Sequence, residues 1–306
     1  MRGILPRGPP RCQRRSRSDR AIRSPYVPSP SPVPPIVLVF AGSDPSGGAG
    51  LQADLLTLAA LGCHPLSVIT AITVQDTTGV EAVQVTGARL VADQARLVLE
   101  DIAVRAIKIG MVGSAENAAA IGRVVAKYPD VPVVLDPVLA SGRGDSLATS
   151  DGIMALRELI VPQATIVTPN SLEVRRLAFA GADRSDEPGS IEQAAQRLLA
   201  LGADFVLVTG THEPAPEVVN TLYAPSGIVR RDRWERLDAD YHGSGCTLAS
   251  AIAATLARGS ALPDAVRDAQ AYTWQTLAHG FKPGLGQRVP DRFFGTRQAN
   301  KTAEGA

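Results

Sequence analysis

The run His242-Gly243-Ser244-Gly245-Cys246-Thr247 places two glycines, one residue apart, directly ahead of an Ala/Leu-rich stretch from Cys246 to Ala257 that Arg258-Gly259 closes. A glycine turn opening a helix leaves several backbone N–H groups unpaired and aimed at one point, where the helix dipole also favours negative charge. Such a nest holds a phosphoryl group during transfer. Cys246 stands at its mouth, where a thiol pKa is expected to fall so that the thiolate serves as base or nucleophile. Read alone, the stretch fits equally a plain helix start with small residues for close packing and an inert buried cysteine.

A second unusual stretch is Ala41–Gly50, AGSDPSGGAG, in which four of the nine residues from Gly42 to Gly50 are glycine. That density lets backbone approach a flat ligand closely. The pattern is neither GxGxxG nor GxxxxGK[ST], so dinucleotide and Walker-type readings lose ground. Asp54, one turn into the following helix, can face the same pocket and accept a hydrogen bond, or simply be a solvated helical aspartate. Gln75 ends an apolar run, where an amide can read donor–acceptor pairs on a heterocycle. Met111 can cover a ring, though core filling is the usual role of methionine. Asp136 follows Val133-Val134-Leu135 directly, and a carboxylate ending a buried strand is costly unless it binds something, such as Mg²⁺ or a phosphate partner. Asn170 and Glu173 stand one turn apart and can both face a hydrated Mg²⁺–phosphate group; they fit equally a helix cap in which Glu173 reaches back. The four histidines show no ligand spacing, and His242 with Cys246 lacks further ligands for zinc. The G-x-S-x-G elbow of a serine hydrolase is missing.

These residues need a scaffold, and the hydrophobic pattern supplies one. Ile36–Phe40, Leu66–Val74, Ala106–Ile109, Val131–Leu135, Ala164–Val167 and Phe205–Val208 read as strands buried on both faces. Val219–Tyr223 reads as a pairing edge strand. Helical spacing or caps mark the segments after Gly50, Arg89–Ala103, Ser114–Tyr128, Ser150–Ile160, Ser190–Leu201, Cys246–Ala257 and Pro263–His279. Alternating strands and helices imply a mainly parallel sheet covered on both faces, with ligands beyond the carboxyl ends of the strands. The candidate residues collect there, after Phe40, Val74, Ile109, Leu135, Val167 and Val208.

Composition narrows the partners. Residues 1–35 hold eight Arg and one Asp, so the rest of the chain carries 23 basic and 29 acidic residues, a net charge of −6 against +7 in the first segment. The body has no basic stripe of the kind that tracks nucleic acid. Its apolar runs are too short to span a bilayer. Three cysteines without paired spacing fit a reducing cytoplasm. Nine prolines and almost nothing to bury make residues 1–35 a disordered extension; 36–295 read as one domain and 296–306 as a disordered tail.

Together, AGSDPSGGAGLQAD (41–54), VITAITVQDTTGV (68–80), IKIGM (107–111), VVLDPVL (133–139), TPNSLE (168–173) and HGSGCTLASAIA (242–253) closely resemble the hydroxymethylpyrimidine/phosphomethylpyrimidine kinases of thiamine biosynthesis, within the ribokinase-like superfamily. The resemblance implies a three-layer α/β/α ribokinase-like fold and transfer of the ATP γ-phosphate to 4-amino-5-hydroxymethyl-2-methylpyrimidine, then to its monophosphate. By matched position, Gly42, Asp54, Gln75 and Met111 would hold the pyrimidine, Cys246 would be the catalytic base, and Gly243, Ser244 and Gly245 the anion hole. Asn170 and Glu173 match the superfamily's N-x-x-E metal–phosphate motif, with Asp136 the acidic position beside it and Mg²⁺ bound through Asp136 and Glu173. A homodimer is implied as well. Two departures stand out. Many members carry a lysine shortly after the aspartate, where DPVLASGRGD (136–145) offers only Arg143, one place on. Many also carry a lysine where Thr209 occupies the nucleotide side in VLVTGTH (206–212). Pyridoxal or pyridoxine kinase activity, or a non-catalytic pyrimidine-binding domain, are the alternative expectations.

Overall fold

The computed structural model describes residues 33–141, 144–145, 147–181 and 189–297. Residues 1–32 and 298–306, which hold nearly all of the expected extension and tail, and Arg143 lie outside the described residues.

One nine-stranded sheet organises the chain, in the order β3-β2-β1-β4-β5-β6-β7-β8-β9. The strands are β1 (Ile36–Ser43), β2 (His64–Gln75), β3 (Val80–Val85), β4 (Ala106–Ile109), β5 (Val133–Leu135), β6 (Ile166–Val167), β7 (Phe205–Val208), β8 (Glu217–Ala224) and β9 (Gly227–Glu235). Strands β2, β1, β4, β5, β6 and β7 pair in parallel, and β3, β8 and β9 add antiparallel edges. The helices are α1 (Gly50–Ala60), α2 (Ala88–Asp101), α3 (Ala115–Val125), α4 (Ser150–Ala155), α5 (Ser171–Ala178), α6 (Ile191–Ala200), α7 (Ser244–Ala257) and α8 (Leu262–Ala278).

Two cores make the three layers. Val37, Val39, Ala41, Ala106, Val134, Ile166 and Leu207 face α1, α7 and α8. The alternate residues of the same strands, including Leu38, Phe40, Ile107, Ile109, Leu135 and Val167, face α2 to α6. This period-two division explains why the central strands are apolar on both faces. The helix expected over Ser150–Ile160 is α-helical only to Ala155, and Leu156–Ile160 widens into a π turn. Strands β3 and β9 were not anticipated: both are largely exposed edge strands, without the buried apolar run that marks the others.

The sheet sets the site. Chain order leaves β1 for β2 on one side and β4 on the other, so a crevice opens between the carboxyl ends of β1 and β4. A register shift between Ala41 and Gly42 bends β1 at that point.

Candidate active site

A cavity of about 420 Å³ runs along these strand ends. Helix α7 enters it behind Gly243, whose φ of +87° lies in the left-handed region. A Cβ there would also collide with the Gly48 carbonyl. No side chain caps this helix, which leaves its first N–H groups for a ligand. Gly243, Ser244, Gly245 and Cys246 all line the cavity.

Beneath the nest lies a cluster of charge. Lys108, fully buried on β4, sets its Nζ 2.9 Å from Asp54 Oδ2 and 3.6 Å from Asp136 Oδ2. Burial alone would discharge the ammonium, but Asp54, Cys246 and Asp136 more than offset it and raise its pKa, so Lys108 is held charged. Ser250 Oγ, one turn along α7 from Cys246, donates to Asp54 Oδ1 at 2.7 Å. A Cβ at Gly110 would meet Lys108 Nζ at 2.7 Å, so a side chain there would have to push the ammonium aside.

Two expectations are corrected here. Asp54 is fully buried and does not line the cavity: both its oxygens are engaged by Lys108 and Ser250. It supports the floor of the site. The Cys246 thiol lines the cavity, yet its pKa is raised, not lowered. Burial is the largest cause, and Asp136 and Asp54 reinforce it against Lys108 and the Gly50 N–H.

At the β2–β4 end, Gly42, Gln75 and Met111 line the cavity together. A Cβ on Gly42 would lie 3.1 Å from Met111 Sδ, so the glycine lets the thioether approach the loop. Asp44 ties this loop to the nest. It accepts from Ser46 N at 2.8 Å, Ala49 N at 2.7 Å and His242 Nε2 at 3.0 Å. Burial would raise the Asp44 carboxyl, but hydrogen bonds from His242, Ser46, Ala49 and Gln75 hold it well below the usual carboxylate range.

After β5, β6 and β7, Asp136, Asn170, Glu173 and Thr209 line the middle of the cavity. Asn170 and Glu173 form a capping box on α5: Asn170 Oδ1 accepts from Leu172 N and Glu173 N, each at 2.9 Å, and Glu173 Oε2 from Asn170 N at 3.0 Å. The cap reading is thus realised, and it fixes both side chains beside Asp136. Burial and then the Asp136 charge push the Glu173 carboxyl up to about 7, against the N–H groups of Asn170 and Leu139. The buried Asp136 Oδ2 has no hydrogen-bond partner among the described residues. A Glu173 carboxyl raised by the neighbouring Asp136 charge, and an Asp136 oxygen that has the Lys108 ion pair at 3.6 Å but no hydrogen bond among the described residues, fit a hard cation such as Mg²⁺.

Beyond Thr209 the cavity reaches Trp234 on β9 and Trp274 on α8, stacked with centroids 6.5 Å apart. Their indole N–H groups donate to Gln270 Oε1 and Glu235 O, each at 3.1 Å. Arg236 donates to the carbonyls of Gly210, Thr211, Glu213 and Ala215, shaping the loop that follows Thr209. Sequence reading missed Lys108, the Asp44–His242 contact, Arg236, the tryptophans and Arg292. Only Lys108 carried a local signal, a lysine inside the buried strand Ala106–Ile109.

A glycine turn and an uncapped helix start at the carboxyl end of a mainly parallel three-layer sheet, open to a cavity lined by Asp136 and Glu173, fit a small-molecule kinase of the ribokinase-like class. The phosphomethylpyrimidine kinase family matches residues 44–291, and the chain belongs to that family. A hydroxymethylpyrimidine/phosphomethylpyrimidine kinase of Streptomyces coelicolor is 41% identical over 264 residues, covering 85% of this chain and 95% of that one. The crystal structure of the phosphomethylpyrimidine kinase of Clostridium difficile superposes with a TM-score of 0.67 at 35% identity, covering 79% of this chain and 99% of that one. The pyridoxal kinase of Staphylococcus aureus, solved with AMP-PCP and pyridoxal, gives a TM-score of 0.74 at 29% identity over 85% and 94% of the two chains.

Proposed function

We propose that the chain transfers the γ-phosphoryl group of ATP to the hydroxymethyl group of 4-amino-5-hydroxymethyl-2-methylpyrimidine and then phosphorylates the monophosphate to the diphosphate. The observation that carries this reading is the shared cavity: the Gln75 amide, the Gly243–Gly245 nest and Cys246 all line it. Relatives of the aminopyrimidine kind match at 41% and 35% identity, against 29% for the pyridoxal kinase, which favours the pyrimidine over pyridoxal.

Phosphoryl transfer needs positioning and charge neutralisation more than covalent chemistry. Gln75 reads the aminopyrimidine edge, Met111 covers the ring and Gly42 leaves room for it. The N–H groups of Gly243, Ser244 and Gly245 hold the transferring phosphoryl oxygens. Cys246 takes the proton of the attacking hydroxyl. It does so as the thiolate, its own proton having passed to solvent beforehand, and the hydroxyl proton leaves late, as suits a loose transition state in which the nucleophile gains acidity as the bond forms. Asp136 and Glu173 would hold Mg²⁺, which supplies positive charge to the nucleotide phosphates and offsets the carboxylates around the thiol. Asn170 orients Glu173 through the cap, and Thr209 stands on the nucleotide side.

Residues 36–295 are taken as the kinase domain, acting in the cytoplasm; no described helix is long and apolar enough to cross a membrane. The homodimer of the resemblance is kept as part of the reading, with exposed Ile72, Val74 and Val83 as available apolar surface; light scattering at twice 32.0 kDa would test it. The decisive assay is Mg-ATP-dependent phosphorylation of the pyrimidine and of its monophosphate, with pyridoxal alongside, in wild type and Cys246→Ala. Diphosphate from wild type and a loss of ~10²-fold or more in the variant are expected. Pyrimidine binding without phosphoryl transfer would overturn the reading.

A further inference from the structure

Arg292 lies in the segment after α8, far in sequence from every motif above, and is 5% exposed. Its three hydrogen bonds run to neutral oxygens: Nη2 to Gly48 O at 2.6 Å, Nη1 to Gly47 O at 3.3 Å and Nε to Thr247 Oγ1 at 3.2 Å. The first two belong to the glycine loop and the third to the first turn of α7. Thr247 Oγ1 passes the connection on, donating to Gly243 O at 2.8 Å. The Gly48 carbonyl is wedged between the guanidinium and Gly243, since a Cβ on Gly243 would run into it.

This arrangement answers a problem posed by the nest. An anion hole functions only if donors face the phosphoryl oxygens and carbonyl lone pairs do not. The Gly48 carbonyl approaches Gly243 at the start of α7, and left unpaired it would repel the group the nest must hold. The guanidinium satisfies both carbonyls with a planar fork that a lysine cannot reproduce. The segment carrying it is itself anchored: Tyr272 Oη donates to Arg292 O at 2.8 Å, and Asp291 N to Thr276 O at 2.9 Å.

Resting on the kinase reading above, we propose that Arg292 is a positioning residue for phosphoryl transfer, neutralising the Gly47 and Gly48 carbonyls and clamping the glycine loop against the first turn of α7. It touches neither substrate nor the reacting atoms; it acts through the loop and Thr247. The clamp governs the phosphoryl end of the cavity, leaving the Gln75 end alone.

The test combines steady-state kinetics with calorimetric binding of Mg-ADP and of inorganic pyrophosphate to the full chain. Arg292→Gln is expected to lower kcat by ~10- to 100-fold, as small misplacements at a reacting centre do, with KM for the pyrimidine changed less than about threefold and pyrophosphate bound ~10-fold more weakly. Arg292→Lys, keeping charge but losing the fork, falls between. In Arg292→Ala, millimolar guanidinium ion restores part of kcat. A folded Arg292→Gln protein with wild-type kcat and pyrophosphate affinity overturns the proposal, as does a loss confined to melting temperature and pyrimidine KM. Should Arg292→Gln fail to fold, Thr247→Val removes the hydroxyl that joins Arg292 to Gly243 and leaves the Gly47 and Gly48 contacts in place; wild-type kcat in both Thr247→Val and Arg292→Lys then overturns it. If wild type bound pyrophosphate but phosphorylated no pyrimidine, the kinase reading would fall, and the pyrophosphate affinities would still decide for or against the clamp.

Discussion

Replacing Lys108 with methionine would keep the volume of a fully buried side chain and remove the cation that pairs with both Asp54 and Asp136. At 2.9 Å, unit charges in an effective dielectric of about 20 attract by roughly 6 kcal/mol, and the 3.6 Å contact adds roughly 5 kcal/mol. Most of that attraction replaces hydration lost on burial, so the net effect is smaller. Removing one partner of a buried pair costs about 3–5 kcal/mol. At roughly 2–4 °C per kcal/mol for a domain of this size, Lys108→Met should melt roughly 6–20 °C below wild type. The pH dependence has a definite sign. An unpaired, buried Asp54 carboxyl titrates above its unfolded value of 3.8, so the native state binds the extra proton and stability falls as pH rises. Urea unfolding at about pH 7.5 and about pH 5.5 should therefore show a deficit that shrinks in acid, and Asp54→Asn in the same background should recover at least half of it. A deficit under about 1 kcal/mol at the higher pH, or one that grows in acid, would refute the assignment of Lys108 as the charge that holds the floor of the site.

The raised Glu173 carboxyl gives the second expectation. Its shift from 4.5 to about 7 penalises folding progressively above pH 4.5, fully above about 7, by at most roughly 3 kcal/mol because the group is partly exposed. Glu173→Gln should accordingly stabilise the ligand-free protein at pH 8 relative to pH 5 in urea titrations, while its Mg²⁺-dependent turnover collapses; a variant less stable at both pH values would contradict this. The Cys246 thiol, raised above its ordinary 9.0 by burial and its acidic neighbours, should alkylate with iodoacetamide at a rate that climbs through pH 9 without levelling off. A plateau near neutrality, followed by mass spectrometry of the Cys246 peptide, would show a thiolate already formed in the empty site.

Much of the scaffold was legible because it is written in local pattern. Strands β4 and β7 match the apolar runs residue for residue, and Ser190 and Gln193 form a capping box at the start of the helix expected over Ser190–Leu201. The glycine turn ahead of α7 was legible too, since only glycine satisfies both the positive φ and the close approach at Gly243. What the sequence concealed is long-range. The spacing of Asp54 on α1 suggests a ligand contact, but the side chain belongs to Lys108, which is 54 positions away. Cys246 at a helix start should ionise easily by the local rule. The rule fails because the sheet brings Asp136 up from β5 and Asp54 from α1, and burial removes the water that would stabilise a thiolate. Arg292 had no local signature at all, because its acceptors are backbone carbonyls 244 and 245 residues away. The residues that hold a site in shape are chosen by what the fold brings beside them, whereas those that face the ligand are chosen by chemistry; only the second kind leaves a motif.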